Sequence, residues 1–313
     1  MDMGSTAYRE YEADEPYRGG GGASADIRQL RFRELDVRLD REDGILWCDM
    51  APSGRPCFSF GMMAEYRELQ LAIRDQFVGL RPGDPTPFQY VVSGSRTPGV
   101  YNLGGDLGFF QQCIRQGDIE PMRRYAYGCV EGQFENWSAY DCPVITMALV
   151  RGDALGGGFE FALSYDFIVA ERSARMGLPE VLFNLFPGMG AYSFISRKLD
   201  RRAAEALILS GKVYTAEEMH DMGLVDVLAD DGCGEMALRE HIARTRRNFS
   251  THKALYDARR RVMPVTLNEL REVVDIWAET AMRLTDRDLK IMQRLVQAQD
   301  KRMAAARAGV RLV

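Results

Sequence analysis

The sequence contains few of the residues that many catalytic and metal centres use. It has only three histidines in 313 residues, and no G-x-S-x-G segment occurs. Histidine-based triads, histidine metal sites and a serine nucleophile elbow are therefore disfavoured. Six cysteines are present without any C-x-x-C pair, so we expect buried, reduced thiols and no zinc site. The composition implies neither a metal nor a redox cofactor.

Charge and hydrophobic runs exclude two further classes of protein. The formal net charge is -5, which argues against nucleic acid as a main partner. No apolar run approaches the ~20 residues that a membrane-spanning helix needs. The first residues also lack the apolar and basic segments of a secretory signal. We therefore expect a cytoplasmic protein that does not insert into a membrane.

The chain divides into three parts by its composition. Residues 1–26 are polar and include four consecutive glycines, which predicts a flexible tail. Over residues 27–227, short strand-like runs alternate with helical stretches, as in an α/β core. Helices dominate after residue 200, and no strand pattern returns after about Val227. Residues 228–313 are therefore predicted to form a helical region, of the kind that makes subunit contacts in many folds.

A glycine-rich turn carries the strongest functional signal. The strand-like run PVITMALV, residues 143–150, leads into ALGGGFE, residues 154–160. Gly156, Gly157 and Gly158 let the backbone approach a ligand closely, and the start of a helix presents free N–H donors there. The turn has neither the lysine of a phosphate loop nor dinucleotide spacing. We therefore interpret it as half of an oxyanion hole, in which one donor lowers a barrier by about 3 kcal/mol.

A second loop and two glutamates complete this hypothesis. The turn NLGGDL, residues 102–107, contains Gly104 and Gly105 and could offer the Leu103 N–H to the same point. Glu160 lies in the first turn of the helix after the glycines, and Glu180 follows in the segment MGLPEV. Two carboxylates held close together raise the pKa of one of them, as an acid-base pair requires. The sequence leaves open which glutamate takes a proton and which donates one.

These residues resemble the crotonase (enoyl-CoA hydratase/isomerase) superfamily over about residues 40–300. The resemblance rests on ALGGGFEFAL, on GLPE at 177–180 and on LFPGMGAY at 185–192. It implies a crotonase fold: a spiral of β-β-α units with a helical C-terminal region for assembly into a homotrimer or hexamer. It also implies the site residues. These are the backbone N–H groups of Leu103 and Gly157 as oxyanion hole, Glu160 and Glu180 as catalytic pair, and Gly104, Gly105, Gly156 and Gly158 as site-shaping positions.

Within the superfamily, the sequence is most similar to the bacterial diffusible signal factor (DSF) synthases. The segments that carry this likeness are YNLGGDLGFF, GLPEVLFNLFPGMGAYSF and WAETAMRL. Typical hydratases carry AGAD at the first loop and a GGTQRL-like element later. The likeness implies dehydration of a 3-hydroxyacyl thioester of acyl carrier protein (ACP), then thioester hydrolysis to a cis-2-unsaturated fatty acid used in quorum sensing. It also implies a regulatory sensor kinase as a partner.

Two other functions remain open from the sequence. An enoyl-CoA hydratase or isomerase of fatty acid metabolism would use the same residues on a coenzyme A thioester. A regulatory binding protein would keep the fold without catalysis, although the intact glutamates at 160 and 180 argue against it.

Two further clusters have a weaker interpretation. Glu131 and Glu135 share a helix face, and we expect that face to be solvated rather than to bind a metal. Basic clusters at 201–202, 244–247 and 259–261 could dock the acidic acyl carrier protein, although exposed helix faces commonly look like this.

Overall fold

The computed structural model describes residues 27–81 and 83–307. Within these residues the strands, in chain order, are β1 (Leu35–Asp40), β2 (Ile45–Met50), β3 (Tyr90–Ser95), β4 (Val100–Asn102), β5 (Ile145–Val150), β6 (Asp153–Leu155), β7 (Phe167–Glu171), β8 (Arg175–Gly177), β9 (Val213–Thr215) and β10 (Val227–Ala229). The α-helices are α1 (Phe60–Asp75), α2 (Leu107–Gln116), α3 (Ile119–Trp137), α4 (Gly157–Leu163), α5 (Ala191–Ile195), α6 (Arg201–Ser210), α7 (Ala216–Asp221), α8 (Gly234–Thr245), α9 (Phe249–Val262), α10 (Leu267–Ala281) and α11 (Asp286–Arg307). The tail predicted for residues 1–26 lies outside the described residues.

Two sheets form the frame of the molecule. The larger has the order β1-β2-β3-β5-β7-β10 and is parallel except for the antiparallel pair of β1 and β2. The smaller has the order β4-β6-β8-β9, with β9 antiparallel at its edge. Every residue of β5 is buried, because helices cover both faces of the large sheet. This explains why β5 reads as a continuous apolar run.

The same unit recurs along the chain. A strand of the large sheet is followed by a short strand of the small sheet and then by a helix, as in β3-β4-α2 and β5-β6-α4. In the third unit, β7 and β8 lead into the 3₁₀ helix Pro179–Phe183. The predicted α/β architecture of β-β-α units is confirmed. The repeat places the ends of β4, β6 and β8 side by side, so three chemically important turns meet at one edge of the small sheet.

The helical C-terminal region is also confirmed. Helix α10 packs against α3, and α11 packs against α2 and the 3₁₀ helix. Five short strands are not predicted from the sequence: β4, β6 and β8 of the small sheet, its edge strand β9, and β10, which pairs in parallel with β7. Each has only three residues, too few to show an alternating pattern. The division at residue 227 stays a prediction, although β10 crosses it. Among the described residues, no helix is long and apolar enough to cross a membrane.

The prediction that Glu131 and Glu135 lie on a solvated face of α3 is wrong. Glu135 is buried and forms ion pairs with Arg67 at 3.1 Å and with Arg74 at 2.7 Å. Glu131, which is largely shielded, pairs with Arg271. Helices α1 and α10 pack on either side of α3 and supply these arginines. Nor does the described part of the chain contain any cluster of three or more His, Cys, Asp or Glu that could hold a metal ion.

The third basic cluster is not a free docking surface. Arg259 and Arg260 both turn inward onto Asp166, which is buried, at N···O distances of 2.7 and 2.6 Å. Arg260 also donates to the Trp137 carbonyl at 2.5 Å. These contacts fasten α9 to the core, because removing both arginines would leave the buried Asp166 side chain without a charged partner. Of this cluster, only Arg261 stays exposed.

Candidate active site

The glycine turn after β6 is shaped by close backbone contacts. Gly156 has φ +53° and donates its N–H to the Gly177 carbonyl at 2.9 Å, which ties the turn to β8. A Cβ built on Gly158 would lie 2.1 Å from the Asn102 carbonyl oxygen at the end of β4. A side chain at Gly158 would push α4 away from the end of β4, and the positive φ of Gly156 is one that residues with a Cβ rarely adopt. Helix α4 therefore begins in the place that the sequence predicted.

The first candidate oxyanion donor is the Gly157 N–H. Gly157 is the first residue of α4, so its N–H has no acceptor within the helix, and none is found elsewhere among the described residues. It lines a cavity together with Glu160 and Glu180. The positive end of α4 points to the same place, but with only seven residues the helix adds little beyond its free donors. The structure thus places the Gly157 N–H, without an acceptor, at the cavity that the two glutamates line, and its oxyanion role stays a prediction.

The structure corrects the prediction that the Leu103 N–H is the second donor. Its N–H already donates to the Pro56 carbonyl at 2.8 Å, and the next N–H, that of Gly104, donates to the Asn102 side chain at 2.7 Å. Gly105 N–H, in contrast, has no acceptor among the described residues, and Gly105 lines the cavity. We therefore assign the second donor to Gly105, two residues after Leu103. The sequence pattern could not show that the loop before α1 approaches Leu103.

Glu160 is buried and is held by a turn that the sequence left without a role. Its Oε1 accepts hydrogen bonds from the N–H of Met189 at 2.9 Å and from that of Ala191 at 3.0 Å. Met189 belongs to the Pro-Gly turn that follows the 3₁₀ helix, and Ala191 is the first residue of α5. Burial raises the pKa of Glu160 to about 7, and the two N–H donors oppose that rise because they stabilise the carboxylate.

Glu180 lies at the second position of the 3₁₀ helix, directly after Pro179. Part of the residue is exposed, yet its Oε2 is shielded from solvent and has no hydrogen-bond partner among the described residues. A Cβ built on Gly156 would lie 2.4 Å from Glu180 Oε1, so only glycine leaves room for this carboxyl group. Burial, and next the charge of Glu160, raise the pKa of Glu180 to about 8.

The two glutamates face one small cavity. It has a volume of ≈ 30 Å³ and room for about one or two water molecules. Aromatic and apolar side chains from distant segments close it, and they include Phe110 of α2, Phe183 and Trp277 of α10. With pKa values of about 7 and 8, the two carboxyl groups together hold about one proton at a pH between these values. The cavity therefore brings together two carboxyl groups and two N–H donors that have no acceptor among the described residues.

The raised pKa values predict a pH-dependent stability. A raised pKa in the folded state stabilises the protein below the ordinary carboxyl pKa of 4.5, and this contribution is lost as the pH rises through about 7 and 8. Glu180→Gln removes one buried charge. At pH 9 we expect the variant to be more stable than the wild type by about 2 kcal/mol, or roughly 4 °C in Tm, and equally stable at pH 5. Thermal unfolding at both pH values measures this; a variant less stable at pH 9 would contradict it.

Comparison with known proteins places the chain in a family. A family model described as enoyl-CoA hydratase/isomerase matches residues 91–282. The chain belongs to the enoyl-CoA hydratase/isomerase family. The match contains the glycine turn and both glutamates. The crotonase resemblance at the level of the superfamily is thus confirmed.

Relatives in this family match only part of their own length. The chain is 43% identical over 90 residues to the mevalonyl-coenzyme A hydratase SIDH of Beauveria bassiana, covering 29% of this chain and 31% of that protein. It is 34% identical over 134 residues to the peroxisomal fatty acid beta-oxidation multifunctional protein AIM1 of Arabidopsis thaliana, covering 43% and 18%. The matches thus span less than a third of either relative.

A solved structure agrees with the fold. The enoyl-CoA hydratase of Bacillus halodurans superposes with a TM-score of 0.68 at 19% identity, covering 84% of this chain and all of that one. At this identity the likeness concerns the architecture. The enoyl-CoA hydratase/isomerase fold accounts for the spiral of β-β-α units described above.

Proposed function

We propose that the protein dehydrates a 3-hydroxyacyl thioester to a cis-2-enoyl thioester and then hydrolyses it, releasing an unsaturated fatty acid used as a quorum-sensing signal. The observation that carries the proposal is the shared cavity of Glu160 and Glu180 with the free N–H groups of Gly105 and Gly157. The described residues that line it include no serine, cysteine or histidine. The chemistry therefore runs through carboxyl groups and backbone donors.

The first step is an elimination. One glutamate, as a carboxylate, takes the proton from the carbon next to the thioester carbonyl. The C–O bond to the 3-hydroxyl then breaks, and the other glutamate, protonated, gives its proton so that water leaves. Negative charge grows on the thioester oxygen, where the N–H groups of Gly105 and Gly157 stabilise it. A pair that shares one proton starts in the state this step requires.

The second step uses the same oxygen. A water molecule, deprotonated by a glutamate, attacks the carbonyl carbon, and the C–S bond breaks as the thiol leaves with a proton. Charge again collects on the carbonyl oxygen, so one oxyanion hole serves both transition states. The cavity already has room for about one or two waters. The two steps need no metal and no redox cofactor.

Hydration of an enoyl-CoA is the second candidate. It is favoured by the relatives, two of which are named as a hydratase and as a β-oxidation protein. The same glutamates and donors would add water across a double bond, and the thioester would stay intact. Acyl carrier protein, rather than coenzyme A, as the carrier rests on the resemblance to the synthases. So do regulation by a sensor kinase and assembly into a trimer or hexamer.

Product analysis separates the two candidates. We expect purified protein with 3-hydroxydodecanoyl-ACP to release free 2-dodecenoic acid, detected by mass spectrometry, and Glu160→Ala and Glu180→Ala each to abolish it. The coenzyme A thioester of the same acid is the matched substrate. Dehydrated or hydrated thioester without free acid would replace the synthase by the hydratase. No turnover of either substrate would overturn both.

A further inference from the structure

A second cavity lies beside the catalytic one. It has a volume of ≈ 20 Å³ and is lined by Phe58, Met63, Tyr66, Gly128, Cys129, Gly132, Gln133 and Phe161. Apart from the Gln133 carboxamide and the Tyr66 hydroxyl, which lies 3.5 Å from the Ser93 hydroxyl, the wall is aromatic or aliphatic, carries a thiol or has no side chain. The thiol of Cys129 is buried and the pKa of this group is raised, so it behaves as an apolar surface. Such a wall suits a hydrocarbon chain.

Gln133 differs from the rest of this wall. Its side chain is 1% exposed, and its Oε1 has no hydrogen-bond partner among the described residues. A buried carboxamide without a partner is unfavourable, and such groups are uncommon in folded proteins. Gln70 has a similarly unpartnered Oε1, although its amide nitrogen donates to the Gly132 carbonyl at 2.9 Å, but Gln70 does not line this cavity. The structure therefore leaves one polar group without a partner in this mostly apolar cavity.

The position of Gln133 connects this cavity to the catalytic site. A Cβ built on Gly190 would lie 2.8 Å from Gln133 Oε1, and the residues on either side of Gly190 donate to Glu160. Phe161, the neighbour of Glu160 on α4, also lines the second cavity. Residues that line the second cavity are thus neighbours of Glu160 and of the turn that donates to it.

We propose that the second cavity is the distal end of the acyl pocket and that Gln133 Oε1 accepts a hydrogen bond from a hydroxyl group on the acyl chain of the substrate. The inference rests on the proposed function and deepens it, because it names the class of acyl group: a chain hydroxylated beyond the reacting 3-position. A purely hydrocarbon chain would leave the Gln133 carboxamide without a partner. A hydroxylated chain would satisfy it, which makes Gln133 a specificity-determining residue.

The test compares substrates that differ by one hydroxyl. A series of 3-hydroxydodecanoyl thioesters carries a second hydroxyl at C5, C7, C9 or C11, beside the plain chain. For the best position we expect wild-type kcat/KM to exceed that of the plain chain by about tenfold, as one hydrogen bond provides. Gln133→Leu, which keeps the volume and removes the polar group, is expected to bring this ratio to about one. Gln111→Leu, which changes a buried glutamine that lines neither cavity, should keep the wild-type ratio.

The outcomes test the proposed Gln133 subsite separately from the proposed reaction. Turnover of the plain chain with a ratio near one at every position, unchanged in Gln133→Leu, would overturn the subsite and leave the proposed function standing. Loss of the preference in Gln111→Leu as well would assign the effect to general packing and also overturn it. If no thioester turns over, calorimetric binding of the free hydroxy acids and the plain acid to wild type and Gln133→Leu decides the subsite by the same ratio.

Discussion

Glutamine at position 160 or 180 is expected to lower kcat/KM for a 3-hydroxyacyl thioester by about 10²–10⁴-fold, the range that a positioned acid or base contributes. The substitution keeps the shape of the side chain and the acceptor oxygen that Met189 and Ala191 use at Glu160. It removes the ability to exchange a proton at the reacting atoms. The loss should therefore appear in kcat, with the protein folded, and steady-state kinetics with circular dichroism measure both.

The double variant tests whether the two glutamates act as a unit. Since they share one proton, losing either disables both steps, so Glu160→Gln with Glu180→Gln should cost little more than either single change. Glu171→Gln is the matched control: it is buried, it accepts from the Gly234 N–H at 3.0 Å, and it does not line the cavity. It should keep activity within about threefold. Two single variants that retain wild-type kcat would show that the pair is not catalytic.

Alanine at Gly104 is expected to lower kcat by about 10²–10³-fold through the oxyanion hole. Gly104 has φ +89°, and a Cβ built on it lies 2.8 Å from the Gly157 nitrogen and 2.8 Å from the Leu155 carbonyl oxygen. The methyl group would occupy the approach to the Gly157 N–H, or displace the turn that carries it. Charge on the thioester oxygen would then lose a donor, while the glutamates remain in place. Single-turnover kinetics on a thioester measure the chemical step directly.

A second glycine provides the control for the effect of backbone strain. Gly79 has φ +82°, close to that of Gly104, but nothing lies within 4 Å of a Cβ built there. Gly79→Ala therefore imposes similar strain far from the site, and we expect a lowered Tm with unchanged kcat. If Gly104→Ala also lowers Tm without changing kcat, backbone strain alone explains its effect. That result would contradict the proposed role of this turn in the oxyanion hole.

Local sequence patterns predict some residues of the candidate site but not others. The glycine turn and the two glutamates could be predicted because each occupies a short segment whose chemistry is visible in the sequence: donors at a helix start, then an acid in the first turn. The error at Leu103 arose from a long-range contact. Pro56, which accepts its N–H, precedes it by 47 positions, and no periodicity or motif links the two segments.

A similar limit applies to the charged clusters. Helical spacing correctly places Glu131 and Glu135 on α3, but the arginines that neutralise Glu135 come from α1, and the one for Glu131 comes from α10. In the same way, the sequence pattern is typical of a surface patch at Arg259 and Arg260, whereas in the structure both arginines form ion pairs with the buried Asp166. Whether a charged residue faces solvent depends on which helix packs over it, and that is a property of the assembled fold.

The sequence by itself determined the class of fold, the run of buried strands, the donor turn at Gly157 and the identity of the two carboxyl groups, because these depend on local propensity and composition. Only the tertiary structure decided which backbone N–H completes the oxyanion hole, which turn holds Glu160, and how far the pKa values of Glu160 and Glu180 rise. Desolvation, hydrogen bonding and charge coupling act between atoms that are neighbours in space, and the folded chain brings those atoms together from segments far apart in sequence.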